Sequence, residues 1–161
     1  MSEYTDNDLA NDSPNPNHTG GGTTMSDAEG PLEVDQARDF AKSIGSSLLG
    51  DKCTDVVILD VTKASPVTGF IVIGSGTSAR QMRSALENLD DVAQDFGTSV
   101  YQISNDNDAL WLLADFIDVV VHVFEPNARA HYDLESMWPQ APMVEVPPFI
   151  PPNQSGNGET A

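Results

Sequence analysis

Two apolar segments that only two residues separate place the strongest limit on the fold of this sequence. Strand-like composition is found at 110–115 (LWLLAD) and 118–124 (DVVVHVF), and only Phe116 and Ile117 separate the two segments. A connection this short suits an antiparallel hairpin, whereas parallel strands need a long crossover between them. The sheet that contains these segments must therefore be at least partly antiparallel.

The rest of the central region alternates between helical and strand patterns. Apolar residues recur every three or four positions at 33–49 and again at 78–96, which predicts two amphipathic helices. Three more strands are predicted at 55–61, 69–75 and 99–104. A last helix is predicted at 127–138, after Pro126. The order α-β-β-α-β-β-β-α predicts an α/β fold with a single mixed β-sheet of about five strands packed with helices.

The two ends of the chain differ in composition from this central region. Residues 1–30 are rich in small and polar residues and have few large apolar side chains. Such a segment cannot bury enough surface to offset the entropy lost on ordering. We therefore predict a disordered acidic arm at 1–30, a folded domain at 31–146 and a Pro-rich disordered tail at 147–161. Local docking of Phe149 and Ile150 is the alternative for the tail.

The charge of the chain narrows the class of partner. The sequence has 7 Lys plus Arg against 25 Asp plus Glu, a formal net charge of −18. A chain this acidic repels phosphate groups, so we expect neither free nucleic acid nor an anionic membrane as its main partner. A basic protein surface fits better. General adaptation to a salty habitat is the other explanation for the acidity.

Cysteine usage and hydropathy predict the compartment. Cys53 is the only cysteine, so the chain cannot form an internal disulfide, which suits a reducing cytosol. The start of the sequence has neither the basic region nor the apolar stretch of a signal peptide. No apolar run approaches the roughly 20 residues that span a bilayer. We therefore expect a soluble cytoplasmic protein, and the sequence leaves open whether it forms a homodimer.

The segment GSGTSA (74–79) follows a predicted strand and precedes a predicted helix, as phosphate-binding loops do. It matches G-x-G-x-x-A, but a dinucleotide site needs the first strand of a βαβ series and a P-loop needs a Lys at the helix start. A nucleotidyl-transfer site needs a pair of acids for Mg²⁺, which the strand after the helix lacks. We favour a tight turn capped by Thr77 and Ser78, with Ser78 and Gln81 at capping-box spacing. The alternative is a nucleotide-binding enzyme of nucleotidyltransferase type that uses Gly74–Ser78.

No other residue pattern indicates catalysis. His122 lies alone in its strand, which is more typical of a hydrogen-bonded structural residue than of a base, and no Cys or His spacing matches a zinc site. No Ser stands in a G-x-S-x-G elbow with evident partners. We therefore predict no enzyme activity, no cofactor and no bound metal.

Trp111 is the strongest candidate for a binding residue. It shares one face of its strand with Leu113 and Asp115, while the residues between them take the other face. If helices cover that second face, Trp111 lies on the outer side of the sheet beside acids, where exposed aromatic side chains often anchor protein partners. The alternative places Trp111 beneath a loop or a helix.

Four motifs occur in order and together resemble the ribosomal silencing factor family, also called the Iojap or RsfS family. They are DVVILDV (55–61), FIVIGSGTSARQ (70–81), LWLLADFIDVVVHVF (110–124) and ARAHYDLESMW followed by AP (128–142). The resemblance covers about 33–144 and implies an α/β fold similar to nucleotidyltransferases but without their catalytic acids.

The resemblance also implies a partner and an activity. Members bind the large ribosomal subunit through ribosomal protein fourteen, on the face that meets the small subunit. Subunit joining is then blocked, and translation is repressed when nutrients are short. Because mitochondrial and chloroplast relatives act in organelle ribosome assembly, the resemblance also implies a role in large-subunit biogenesis.

The same resemblance assigns roles to residues of the predicted hairpin. Trp111 corresponds to the family's partner-binding Trp, and Asp115 and Asp118 match the acids of its D-x-G-D frame. Ile117 stands where members usually have Gly, which puts a different residue into the turn. The predicted partner-binding site consists of Trp111, Leu113, Asp115, Asp118 and His122.

Overall fold

A six-stranded mixed sheet organises the part of the chain that the computed structural model describes, residues 30–104 and 110–152. Its order is β3-β4-β5-β2-β1-β6, and β2 and β5 run parallel while the other neighbouring strands pair antiparallel. The strands are β1 Thr54–Asp60, β2 Phe70–Ser75, β3 Gln102–Ile103, β4 Trp111–Asp115, β5 Val119–Phe124 and β6 Met143–Val144. The predicted α/β class and single mixed sheet are confirmed, with one strand more than expected.

Helical segments lie on both faces of this sheet. They are α1 Val34–Gly50, α2 Ala79–Glu87, α3 Leu89–Asp95, α4 Pro126–Tyr132 and a 3₁₀ turn at Leu134–Met137. The first three pack on one side, which we call the three-helix face, and α4 and the 3₁₀ turn pack on the other, which we call the α4 face. No helix in the described ranges is long and apolar enough to cross a bilayer.

Alternation along the strands divides the core into two clusters. In β2, Phe70 and Val72 enter the cluster under the three-helix face, while Ile71 and Ile73 enter the cluster under α4. Every residue of β2 is buried as a result. The strand is therefore covered on both sides, which explains its near-continuous apolar sequence.

Three elements differ from the prediction, two of them because of contacts distant in sequence. The helix predicted at 78–96 is broken at Asn88, whose side-chain amide donates hydrogen bonds of 3.1 Å to both carboxylate oxygens of Asp51. The last helix is broken at Asp133, which adopts a left-handed φ of 44°. The unpredicted strand β6 pairs with β1 on its outer side.

The segment after β6 lies along α1. The carbonyl oxygen of Pro148 accepts a hydrogen bond from the Ser46 hydroxyl at 3.1 Å, and the Phe149 ring lies so close to Gly50 that a Cβ there would be 2.6 Å from it. Phe149 thus docks locally on α1. The predicted arm (1–30) lies outside the described residues except for Gly30, as does the tail from 153 onward. The domain division at residue 146 stays a prediction.

Candidate functional site

The β4–β5 hairpin brings four of the five predicted site residues together on the α4 face. Its register places Trp111 opposite Phe124, Leu113 opposite His122, and Asp115 opposite Val120. Residues directly opposite each other in an antiparallel pair point to the same side. The hairpin therefore gathers Trp111, Leu113, Asp115 and His122 on one surface, as the alternation predicted.

The Trp111 indole is neither fully exposed nor enclosed in the monomer. It stacks on Phe124, with ring centroids 4.8 Å apart, and it contacts Tyr132 of α4 at 5.0 Å. The indole Nε1–H donates a hydrogen bond of 3.1 Å to Nδ1 of His122. Trp111 remains half-buried, and Tyr132 itself is 56% exposed. The structure thus lies between the two predicted alternatives, because α4 covers only part of the ring.

We use the name hairpin surface for the accessible part of this region. Its members are half-buried or exposed residues that share a face with the indole or contact it: Trp111, Leu113, Asp115, Val120 and Tyr132. Tyr132 was not predicted as a site residue. Nothing local in the sequence marks it, because its position depends on how α4 docks against the sheet.

His122 is buried beside the indole, with 7% of its surface exposed. Burial lowers the pKa of its imidazole from the ordinary 6.5 to about 4, and the nearby Asp115 carboxylate opposes that shift. The ring is therefore neutral at physiological pH. Because Nδ1 accepts a hydrogen bond, the single ring proton lies on Nε2.

The two aspartate carboxylates near the turn accept hydrogen bonds from different parts of the chain. Asp115 Oδ1 accepts a hydrogen bond of 2.7 Å from the Ile117 backbone N–H, next to the hairpin surface. Asp118 Oδ2 accepts one of 3.0 Å from the Leu32 backbone N–H, ahead of α1. Leu32 packs against the cluster under the three-helix face. The structure therefore separates the Asp118 carboxylate from the other predicted site residues.

Ile117 adopts a left-handed conformation at the tip of the hairpin, with φ of 72°. This region is unfavourable for β-branched residues and is readily adopted by glycine. The Ile117 side chain is 53% exposed, so little packing compensates for the strain. The turn thus keeps a geometry suited to glycine although Ile117 occupies it.

The backbone donors at the start of the glycine loop are already satisfied. The Gly76 N–H donates to the Phe124 carbonyl at 2.8 Å, and the Thr77 N–H donates to Gln81 Oε1 at 2.7 Å. Ser78 Oγ accepts from the Gln81 N–H, as the capping box predicted. The second bond of a capping box, from the Ser78 backbone N–H to the Gln81 side chain, was also expected from this spacing. That expectation was wrong, because Gln81 Oε1 accepts from Thr77 instead. These donors are not free to cradle a phosphate.

Close packing explains the glycine at position 76. A Cβ at Gly76 would lie 2.2 Å from Cγ of Met82, so a side chain does not fit there. Gln81 also donates from Nε2 to the Asp51 carbonyl, which ties the loop to the end of α1. The loop therefore has the construction of a tight strand-to-helix turn.

Arg129 of α4 occupies the space at the carboxyl end of β2. Its guanidinium donates to the Asp55 carbonyl at 2.6 Å and to Ser75 Oγ at 2.8 Å, and it pairs with Glu135 at 2.8 Å. Its side chain is only 13% exposed. Sequence reasoning missed this residue. Arg129 anchors α4 to the sheet and thereby positions Tyr132 beside Trp111.

The described residues offer no group of three or more His, Cys, Asp or Glu side chains arranged to hold a metal ion. Asp115 is engaged in the hairpin turn and Asp118 with the segment before α1. The site as built is an aromatic and acidic surface on a rigid hairpin.

Comparison with known proteins identifies the family. Residues 34–161 match the family model described as ribosomal silencing factor during starvation, RsfS. The chain belongs to this family. A protein named ribosomal silencing factor RsfS from Halalkalibacterium halodurans is 38% identical over 95 residues, which cover 59% of this chain and 81% of that relative. The resemblance inferred from the four motifs is confirmed.

Two further relatives extend the RsfS comparison. A mouse protein named mitochondrial assembly of ribosomal large subunit protein 1 is 27% identical over 112 residues, covering 68% of this chain and 49% of that protein. A crystal structure of a Bacillus halodurans protein covers 70% of this chain and 99% of its own, with 32% identity and a TM-score of 0.56. The fold of this RsfS-family chain therefore has a solved counterpart.

Proposed function

We propose that this protein is a ribosomal silencing factor that binds the large ribosomal subunit through ribosomal protein fourteen. Bound there, in the cytoplasm, it sterically blocks subunit joining and represses translation under nutrient limitation. Membership of the RsfS family supports the ribosome as target. The observation that carries the proposed site is the half-buried Trp111, which contacts Phe124 and Tyr132 and stays partly accessible on the hairpin surface. Its action is binding and not catalysis.

The chemistry of the hairpin surface suits a basic protein partner. Trp111 and Leu113 supply apolar area that is accessible on a rigid strand, the kind of anchor that carries most binding energy in an interface. Asp115 lies beside them, and the chain as a whole has a net charge of −18. Charge of this sign speeds and orients docking on a basic surface, while the apolar anchors supply most of the affinity.

The other two predicted site residues, Asp118 and His122, hold the hairpin surface in place through hydrogen bonds inside the protein. Asp118 joins the hairpin turn to the segment before α1 through Leu32. His122 accepts the indole hydrogen bond of Trp111. In this proposal both residues shape the site, and Trp111, Leu113 and Asp115 make the contacts.

A role in large-subunit biogenesis is a second part of the proposal. It is favoured by the name of the mouse relative, which refers to assembly of the mitochondrial large ribosomal subunit. The same surface serves both roles, because each requires a bound large subunit. Depletion of the protein is then expected to leave incompletely assembled large subunits, which sucrose gradients would display as slower-sedimenting particles.

Substitution of Trp111 by Ala tests the site. We expect Trp111→Ala to weaken binding to purified large subunits by at least about 2 kcal/mol, roughly 30-fold, as for a central aromatic anchor. Binding is measured by co-sedimentation over a titration of subunits. The matched control is Phe149→Ala, which removes a partly exposed aromatic side chain that docks on α1 and is expected to bind normally. A folded Trp111→Ala protein that sediments fully with large subunits would refute this site.

Subunit joining tests the mechanism separately. Wild-type protein added to separated subunits is expected to prevent their association, and Trp111→Ala at the same concentration is expected to leave association intact. Light scattering measures the association. If the wild-type protein binds the large subunit and the subunits still join, the steric block is wrong even though the binding site stands.

A further inference from the structure

We propose that His122 is a positioning residue that fixes the Trp111 indole in the orientation that the partner binds. This inference rests on the proposed function of the hairpin surface. It gives His122 a different role from the predicted one, because the imidazole acts on Trp111 from inside the monomer and need not touch the partner. The contact that carries it is the 3.1 Å hydrogen bond from indole Nε1 to Nδ1 of His122.

The register of the hairpin makes this hydrogen bond possible. Trp111 lies opposite Phe124, and His122 lies opposite Leu113, so the indole and the imidazole are diagonal neighbours on the same face. Large side chains on diagonal positions of an antiparallel pair can reach each other. Their ring centroids are 5.8 Å apart.

Stacking alone does not fix the indole. Phe124 and Tyr132 both lie against Trp111, and ring contacts of this kind tolerate a rotation of the indole that exchanges its two edges. A hydrogen bond is directional, so it distinguishes the edge that carries Nε1 from the opposite edge. His122 therefore selects, among the orientations that stacking permits, the one that turns Nε1 toward the imidazole.

The same hydrogen bond defines what the partner must supply. A Trp N–H left without an acceptor in an interface costs free energy on binding. Because His122 satisfies it within the monomer, the partner needs only an apolar surface against the indole. A pre-ordered aromatic anchor also loses less conformational entropy when it binds. His122 thus contributes to affinity through the ordering of Trp111.

The surroundings of His122 keep the acceptor available. The ring is buried among Trp111, Phe124 and the hairpin backbone, and Asp115 is the charged group that acts on it. A protonated imidazole would carry hydrogen on both nitrogens and could not accept from the indole. The neutral form is the one that burial favours.

Substitutions at His122 separate the hydrogen bond from packing. His122→Leu removes the acceptor, while the Oδ1 of His122→Asn can take the position of Nδ1. We expect His122→Leu to weaken binding to large subunits about tenfold, as the loss of one well-placed hydrogen bond would. We expect His122→Asn to bind within about twofold of wild type. If His122→Leu does not fold, His122→Val replaces it, because Val suits a strand.

A double-mutant cycle with Trp111→Phe tests whether His122 acts through the indole N–H. Phe keeps a ring and has no donor, so His122→Leu in a Trp111→Phe background is expected to change binding less than about twofold. NMR of the free protein provides a second readout. The indole N–H resonance of Trp111, assigned by its loss in Trp111→Phe, is expected to exchange faster with water in His122→Leu and to stay protected in His122→Asn.

The outcomes distinguish this inference from the function it rests on. If Trp111→Ala weakens binding and His122→Leu does not, the positioning role is wrong and the proposed site survives. An equal loss from His122→Leu in both backgrounds also refutes the positioning role, since the effect would then not pass through the indole N–H. If Trp111→Ala itself binds normally, the proposed site is refuted, and with it the positioning role that depends on it.

Discussion

The two faces of the hairpin are made from the same two strands, yet they differ in how they are covered. Leu112 and Val121 point to the three-helix face and are completely buried. Leu113 and Val120, their neighbours in sequence, point to the α4 face and are only half-buried. The residue types are the same on both sides, so hydrophobicity does not distinguish them. What distinguishes them is that α1, α2 and α3 cover one face completely while α4 leaves part of the other accessible.

This contrast separates residues that hold the fold from residues that are available for binding. It predicts that equal substitutions on the two faces give unequal effects on stability and on partner affinity. If the two faces respond alike to the same substitutions, the contrast between them is wrong; unequal responses measure its size.

Leu112→Ala is expected to change the molecule most, through its stability. We expect a loss of about 3 to 4 kcal/mol in the free energy of unfolding, because Leu112 is fully buried and truncation leaves a cavity. Leu113→Ala on the same strand should cost about 1 kcal/mol of stability and weaken binding to large subunits more than Leu112→Ala does. Urea unfolding and co-sedimentation measure the two quantities. Similar stability losses for the two variants would contradict the contrast between the faces.

The second effect depends on pH and belongs to the α4 face. His122 is neutral when buried, with its pKa lowered to about 4, whereas in the unfolded chain it titrates near the ordinary 6.5. The unfolded state therefore takes up the proton first, so the stability due to His122 is complete above pH 6.5 and is lost as pH falls toward 4. We expect a loss of about 2 to 3 kcal/mol across that interval.

The control for the pH effect is His122→Asn, which cannot titrate in this range. Urea titration at pH 7 and pH 4.5 measures the free energy of unfolding of both proteins. Relative to His122→Asn, wild type is expected to be less stable at pH 4.5 than at pH 7. A constant difference would show that His122 titrates normally in the folded protein.

A smaller, stabilising effect is expected at the turn that joins the two faces. Ile117→Gly relieves the backbone strain of a β-branched residue at a φ of 72° and so stabilises the folded state. The greater freedom of glycine in the unfolded chain offsets only part of this stabilisation. We expect an increase of about 1 kcal/mol in the free energy of unfolding, measured by thermal or urea denaturation. A decrease in stability would mean that the exposed Ile117 side chain makes packing contacts that outweigh the strain.

Added nucleotide is expected to leave the stability of the protein unchanged. Arg129 and the capping bonds occupy the carboxyl end of β2. We therefore expect no nucleotide to bind there, in contrast to the hairpin surface, where we expect a partner to bind. Thermal denaturation with millimolar nucleoside triphosphate and Mg²⁺ is expected to leave the melting temperature unchanged, since a ligand that binds the native state must raise it. A magnesium-dependent increase would revive the nucleotide-binding alternative for Gly74–Ser78.

Features decided by short-range rules were predictable from the sequence. The hairpin followed from the short connection predicted between its strands, and the shared face of Trp111, Leu113 and Asp115 followed from strand alternation. Ser78 was identified as a helix cap from its spacing to Gln81. Each of these depends on residues within a few positions of one another.

Features decided by distant contacts were not predictable. The docking of α4 depends on Arg129 reaching Asp55, which is 74 residues away, and no local pattern signals that bond. The exposure of Trp111 and the presence of Tyr132 on the hairpin surface both follow from that docking. Periodicity left the burial of Trp111 undecided because the helix that half-covers it is placed by those contacts.

The parallel pairing of β2 with β5 has a consequence for how the molecule is made. Phe70 pairs with Val119, so the middle of the sheet closes only when nearly fifty later residues have been synthesised. Until then the nascent N-terminal half presents an apolar strand with one unpaired edge, a species open to wrong pairing. A protein that is proposed to act on ribosomes is thus itself among the chains that leave the exit tunnel with one edge of their central strand unpaired.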